Sequence, residues 1–191
     1  MISKEKIRKE KIREAQDRIE KLLLAMGLTE EEKFVLHFES MAKLAEENNW
    51  GDPHSYARSK EQIAAFMLGH TISATLSGAD AINGRGEEVE YKSTNGKKVK
   101  GSYTGISVFI IWAAQVRYLR EKKILPYAEH YFNRFESGRL VESWMMTGQQ
   151  VYDILVPKLK KKFATVRTKK DPRLSANITN KEILKYGVRV L

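Results

Sequence analysis

Apolar residues recur through the first part of the chain with the period of an α-helix. Ile7, Ile12, Ala15, Ile19, Leu22, Leu23 and Met26 predict an amphipathic helix over residues 3–26 that stops near Gly27. Thr29 followed by Glu32 has the form of a capping box. It opens a second predicted helix that runs to about residue 47, with Phe34, Val35, Phe38, Met41 and Leu44 as its inward face. Residues 1–48 thus read as a helical hairpin, expected to pack on the body in preference to forming a dimer interface. The segment NNWGDPHS, residues 48–55, combines turn formers with a proline and breaks the pattern. A helix over residues 56–68 follows, presenting Ile63, Phe66 and Met67 on one side. Short strand-like runs then occupy residues 72–76, 79–83 and 87–93, with Asn83, Gly84 and Gly86 making a tight connection between the last two.

Farther on, Ile110, Ile111, Ala114, Val116, Tyr118 and Leu119 predict a helix in the second half of residues 108–123. Strands are expected over 129–135 and 140–145, joined through Ser137 and Gly138. A helix over 149–162 has Pro157 inside it, a complication because proline lacks the donor that a helix interior uses. From residue 165 the tail reads as basic and irregular, with a short strand near 174–178. The chain is mixed α/β, with its strands concentrated in the middle. Its 191 residues suit one domain, or one domain with a helical attachment. The divisions are 1–48, a core over 56–162 and a basic C-terminal segment over 163–191, expected to form one compact unit.

Composition narrows the chemistry. No run of some 18 apolar residues could span a bilayer, and MISKEKIRKEKIRE lacks the apolar centre of a signal peptide, so a cytoplasmic protein is expected. With no cysteine in the chain, a metal would be held by carboxylates, histidines or carbonyls. The formal charge of +10 favours a polyanionic partner, because lysine and arginine release counterions from phosphates. Lys92, Lys97, Lys98 and Lys100 follow one another without an intervening acid. Lys158, Lys160, Lys161, Lys162, Arg167, Lys169, Lys170 and Arg173 form a second group broken only by Asp171. In the N-terminal helix the signs alternate, as on a solvated face.

The candidate chemistry lies in the strand-like runs. If Asp80 sits on one strand and Glu90 on the next, the intervening hairpin brings both carboxylates to one end of a sheet. Lys92 is two residues beyond Glu90, and the strand period of two sends both side chains to the same face. Phosphodiester hydrolysis needs oxygen ligands for a hard cation, a route to hydroxide near neutral pH and positive charge at the phosphoryl oxygens. These three residues supply the matching groups.

Asp80, then Glu90-Tyr91-Lys92, with Gly78-Ala79 before them, resembles the PD-(D/E)xK nuclease superfamily, which includes most type II restriction endonucleases. Ala79 stands where the family's proline would be, at a position that varies within the family. The resemblance implies a restriction-endonuclease-like αβββαβ core with a mixed central sheet, in agreement with the helix, strand and helix order read over residues 56–135. It further implies that Asp80, Glu90 and the Tyr91 carbonyl bind Mg2+, with Mn2+ able to substitute, and that Lys92 positions or activates the attacking water. A further glutamate on the helix before the strands is matched by Glu61.

The tripeptide alone is weak, since Glu-x-Lys occurs also at Glu31-Glu32-Lys33 and Glu121-Lys122-Lys123. Those two fall on predicted helices and lack an aspartate about ten residues upstream at a strand end. The competing reading of Glu90 and Lys92 is an ion pair on a solvated face. Lys97, Lys98, Lys100, Ser102, Tyr103 and Thr104 lie in NGKKVKGSYTG, a glycine-flanked segment suited to close approach to DNA. Gln115 and Arg117 on the following helix, and Lys169, Lys170 and Arg173 in the tail, complete the expected DNA contacts. His37, His54, His70 and His130 are scattered in no nuclease pattern, and there is no glycine-rich triphosphate loop. The expectation is a magnesium-dependent endonuclease on double-stranded DNA, a type II restriction enzyme working as a homodimer. The alternatives are a junction-resolving or repair nuclease of the same fold, and a non-catalytic basic DNA-binding protein.

Overall fold

A computed structural model describes residues 4–55, 57–74, 78–166 and 172–191. Two long helices come first, α1 (Lys4–Ala25) and α2 (Glu30–Glu47), followed by α3 (Arg58–Leu68). Thr29 caps α2 through the expected capping box, with its side chain accepting from the Glu32 amide and Glu32 accepting from the Thr29 amide. Gly69, in the left-handed region at φ 75°, ends α3. The strands β1 (Thr71–Ile72), β2 (Ala81–Ile82) and β3 (Glu88–Thr94) then form an antiparallel meander.

After β3 come β4 (Gly101–Ile106), α4 (Trp112–Tyr118) and a π-helical turn over Leu119–Ile124. This crossover returns the chain to β5 (Glu129–Glu136), which lies parallel to β3, and β6 (Arg139–Thr147) pairs antiparallel with β5. Ser137 and Gly138 join β5 to β6 with φ of 46° and 76°, the left-handed conformation that a two-residue hairpin demands. The long α5 (Gly148–Val166) carries Pro157 in its interior, and β7 (Leu174–Ile178), α6 (Asn180–Tyr186) and β8 (Val188–Arg189) complete the chain. The result is a mixed six-stranded sheet in the order β1-β2-β3-β5-β6-β8, with β4 and β7 forming a separate two-stranded sheet.

The strand period divides the core between the two faces of the large sheet. Val89, Tyr91, Tyr131 and Phe135 pack with Ala64, Ala65 and Met67 of α3. Phe132 and Met146 face the other way, into the larger core made with Leu119, Ile124, Leu155 and Leu159. Glu90 and Lys92, alternating with Val89 and Tyr91, therefore belong to the second face. No described helix is long and apolar enough to cross a membrane.

Several expectations need correction. The buried face of α3 is Ala64, Ala65 and Met67, whereas Ile63 and Phe66 are exposed. Phe34, Val35, Phe38, Met41 and Leu44 of α2 do not point inward: all five are exposed, because α2 does not lie on the body. The segment read as a glycine-flanked loop contains β4, held by β7 about seventy residues later, with Tyr103 opposite Ala176. The C-terminal segment is likewise integral to the fold, since β7 completes the small sheet and β8 pairs with β6. Ser3, Tyr56 and residues 75–77 of the predicted elements lie outside the described residues.

Candidate active site

The hairpin between β2 and β3 is fixed by its own polar groups. Asn83 Oδ1 accepts from the amides of Arg85 (2.9 Å) and Glu87 (3.0 Å), and Gly86 takes φ 81°. Asn83 Nδ2 donates to Glu129 Oε2 (3.1 Å) and Arg85 Nη2 donates to Glu129 Oε1 (2.7 Å), tying the turn to the start of β5. The register so defined places Ala81 opposite Val89, and the Asp80 amide donates to the Val89 carbonyl (3.1 Å). Asp80 is thereby brought level with Glu90-Tyr91. The Tyr91 amide donates to Asp80 Oδ2 at 2.6 Å, a bond that fixes the carboxylate across the strand pair.

Asp80, Glu90 and Lys92 line one cavity of about 420 Å3. Its far wall is β4, contributing Ser102, Tyr103, Thr104 and Ile106, and its end is closed by Lys123, Ile124 and Tyr127. Gly101 permits that wall. A Cβ there would collide with the Phe132 ring and lie 3.5 Å from Lys92 Cβ, so only glycine lets β4 pass this close over the sheet. Glu90 Oε1 accepts from the Lys92 ammonium, and both side chains are largely shielded from solvent. The ion pair of the competing reading is present, but it lines a cavity and not an open solvated face.

Electrostatics follow from this enclosure. Burial, then the neighbouring Glu90 charge, pushes the Asp80 carboxyl up to about 7, opposed by the Tyr91 amide bond and by Lys92. Glu61 adds to the rise from α3. Its own carboxylate is paired with Arg58 (3.3 Å), and Glu61 does not line the cavity. Arg58 is almost fully buried and also donates to the carbonyls of Trp50 and Ser73, holding the segment before Asp80 against α3. Among the described residues no three acidic or imidazole side chains gather as a ligand set. Protein ligands at this site would be Asp80, Glu90 and a carbonyl such as that of Tyr91.

Two of the expected DNA contacts, Tyr103 and Gln115, are buried. Tyr103 is buried, its hydroxyl donating to His130 Nδ1 (2.9 Å) while His130 Nε2 donates to the Ile124 carbonyl (3.1 Å). Burial lowers His130 to about 4, so the imidazole is neutral and this bonding pattern is the one it adopts. Tyr103 instead supports Lys92, whose ammonium stands 5.1 Å from its ring centroid. Gln115 is fully buried as well: its Oε1 accepts from the Phe109 amide (2.9 Å), and its Nε2 has no partner among the described residues.

Lys97, Lys98 and Lys100 are exposed on the loop between β3 and β4, Ser102 and Thr104 are exposed on the cavity rim, and Arg117 is exposed on α4. Arg173 is exposed just before β7, its Nη1 near the Gly105 turn of β4. Lys169, Lys170, Arg167 and Asp171 lie outside the described residues. Within the same basic group, Lys158 is bound to Glu182 (2.6 Å) and the Asn177 carbonyl, and Lys162 to the Ser175 carbonyl. Those two lysines fasten the C-terminal elements to α5.

Sequence reasoning missed Arg58, Tyr127 and Lys123. Lys123 belonged to a Glu-x-Lys triplet dismissed as helical, yet the π-helical turn carries it to the cavity. No protein-family model matches the chain, and no curated protein matches it.

Proposed function

We propose that this protein is a magnesium-dependent nuclease of the PD-(D/E)xK kind, with a restriction-endonuclease-like core, that hydrolyses double-stranded DNA as a homodimer. One observation carries the reading: Asp80, fixed by the Tyr91 amide at 2.6 Å, shares a single cavity with Glu90 and Lys92. The helix, antiparallel strands, crossover and parallel strand from α3 to β5 agree with the core that such a motif requires.

The donor set fits a hard divalent cation. Two carboxylates face one partly buried space, where burial first and the Glu90 charge second raise the affinity of Asp80 for a proton, and a cation would compensate the charge that burial disfavours. Bound magnesium, or manganese in its place, would supply Lewis-acid polarisation of the phosphoryl group. Asp80 and Glu90 would hold it, with the Tyr91 carbonyl as a third ligand. Lys92, paired with Glu90 and lying over Tyr103, would direct its ammonium toward the attacking water and the developing phosphoryl charge. Lys97, Lys98, Lys100 and Arg173 would hold the duplex backbone beside the cavity.

Incubation of purified protein with plasmid and linear duplex, with and without Mg2+, tests this directly. The expected result is Mg2+-dependent cleavage of intact duplex into discrete bands, abolished in Lys92→Ala and Glu90→Gln with DNA binding retained. Dependence on branched or damaged DNA would indicate a junction-resolving or repair nuclease. The Glu90–Lys92 ion pair favours a second reading, a basic DNA-binding protein whose carboxylates are only structural. In that case Mg2+ has no effect and Lys92→Ala leaves DNA behaviour unchanged.

A further inference from the structure

Helices in proteins draw most of their stability from packing an amphipathic face, and α1 and α2 are long, with 22 and 18 residues. Yet on α1 and α2 only Leu23 and Ala45 are buried among the described side chains. Contact with the body is slight. Arg8 donates to the Phe66 carbonyl (3.1 Å), and His54 stacks on Phe38 with ring centroids 3.5 Å apart. Between the two helices runs an open groove of about 980 Å3, with Ile19 and Leu23 on one wall and Phe34 on the other.

The apolar positions of the arm are ordered. Ile12, Ala15, Ile19 and Leu22 of α1, with Met26 just beyond its end, alternate steps of three and four, and Phe34, Phe38, Met41 and the buried Ala45 of α2 do the same. Ile12 lines a pocket shared with Ile63, Met67 and Leu140 of the body. That is the seam of helices packed at shallow crossing angles in bundles and coiled coils. Leu22 is 64% exposed and Phe34 69%. Ile19, Phe38, Met41 and Leu44 are exposed as well, so large apolar side chains of both seams stand in water. Ordered exposed apolar runs of this kind mark interaction surfaces, whereas scattered ones do not. The helices also differ in charge: α1 carries more lysines and arginines than acids, whereas α2 has six glutamates against Lys33 and Lys43.

We infer that the α1–α2 arm docks on the same arm of a second copy of this chain, α1 against the partner's α2, closing a four-helix bundle around a two-fold axis. A surface with one basic and one acidic helix is self-complementary under that symmetry, because each basic helix meets an acidic one twice over. The inference names the surface for the dimer in the functional reading, but it does not depend on the chemistry at Asp80.

Light scattering coupled to size exclusion, on the full chain from about 1 to 100 µM, reads the result. The expected mass is twice the 22.0 kDa of one chain. Leu22→Glu with Phe34→Glu is expected to give a single-chain mass with the β-sheet circular-dichroism signal intact. Charge reversal makes the test specific. Lys11→Glu with Arg18→Glu on α1, or Glu31→Lys with Glu46→Lys on α2, should each weaken self-association at least tenfold, and an equimolar mixture of the two variants should restore the dimer. A single-chain mass for the wild type at 100 µM overturns the inference, including the case where the arm instead binds DNA, vesicles or another protein. So does a dimer that persists in the apolar double variant, or a mixture that fails to re-form one. Mass and not cleavage decides the matter, so an inactive wild type would remove the nuclease reading and leave this one standing.

Discussion

Asp80 is where the proposed function and stability oppose each other most directly. Its carboxyl stands near 7 in the folded chain against 3.8 ordinarily, so the native state holds the proton more tightly than the unfolded one. The sign follows: between about pH 4 and 7 the folded state binds more protons, and stability falls as pH rises through that window. The full shift would be worth on the order of 4 kcal/mol, and partial access of water to the cavity reduces this to about 1–2 kcal/mol. Asp80→Asn keeps an acceptor for the Tyr91 amide while removing the charge. In EDTA it should raise the melting temperature at pH 8 by several degrees, by clearly less at pH 5 and little below pH 4, while abolishing the proposed cleavage. Equal melting temperatures at pH 8 would mean that the carboxylate is solvated and the cavity is not a charge-confining site. The triad Asp80, Glu90 and Lys92 was legible in the sequence because a hairpin and a two-residue strand period convert spacing into position with few free variables. The burial of Tyr103 and Gln115 was not legible for the opposite reason. Their polar atoms face buried partners, His130 and the Phe109 amide, that are remote in the sequence or arranged by an irregular backbone, and nothing in the local pattern announces such partners.

Among the elements, β4 matters most to the site and was least visible. NGKKVKGSYTG reads as a polar loop because its strand-like positions are few and its partner β7 lies far along the chain. Gly101 looked like loop punctuation, yet it is the point at which β4 crosses Phe132. Gly101→Ala should overpack this crossing and cost about 1–3 kcal/mol, read as a lower denaturant midpoint. Because β4 supplies Ser102, Thr104 and Ile106 to the cavity, cleavage should fall more than DNA affinity does. A fully active Gly101→Ala would show that the wall yields without consequence for the site. The small helix α6 was also unread, although Thr179 and Glu182 repeat the capping box that marked α2 at Thr29 and Glu32. The apolar stripe of α2 was read correctly as a stripe and assigned wrongly to the body. Periodicity reports that a face needs a partner, and it is silent on whether that partner lies in the same chain.

At the scale of the whole molecule, the charge of +10 is not spread evenly in its work. Lys158 and Lys162 are engaged in joining α5 to β7 and α6, and Arg85 and Arg134 are paired with glutamates. Lys97, Lys98 and Lys100 are exposed on the loop that leads from Lys92 to the cavity wall, placed to meet a duplex that presents one phosphate to the proposed site. If these three each neutralise one phosphate, counterion release makes the logarithm of the binding constant fall with the logarithm of salt concentration, by about 0.9 per contact. Replacing all three by alanine should therefore flatten the salt slope by between about 2 and 3, weakening every duplex sequence to a similar degree. Lys158→Ala should leave that slope unchanged and lower stability instead, because its ammonium serves Glu182 and Asn177. Anisotropy of a labelled duplex in EDTA, titrated from about 50 to 300 mM salt, separates the two. If the triple variant keeps the wild-type slope, the duplex does not run along this loop.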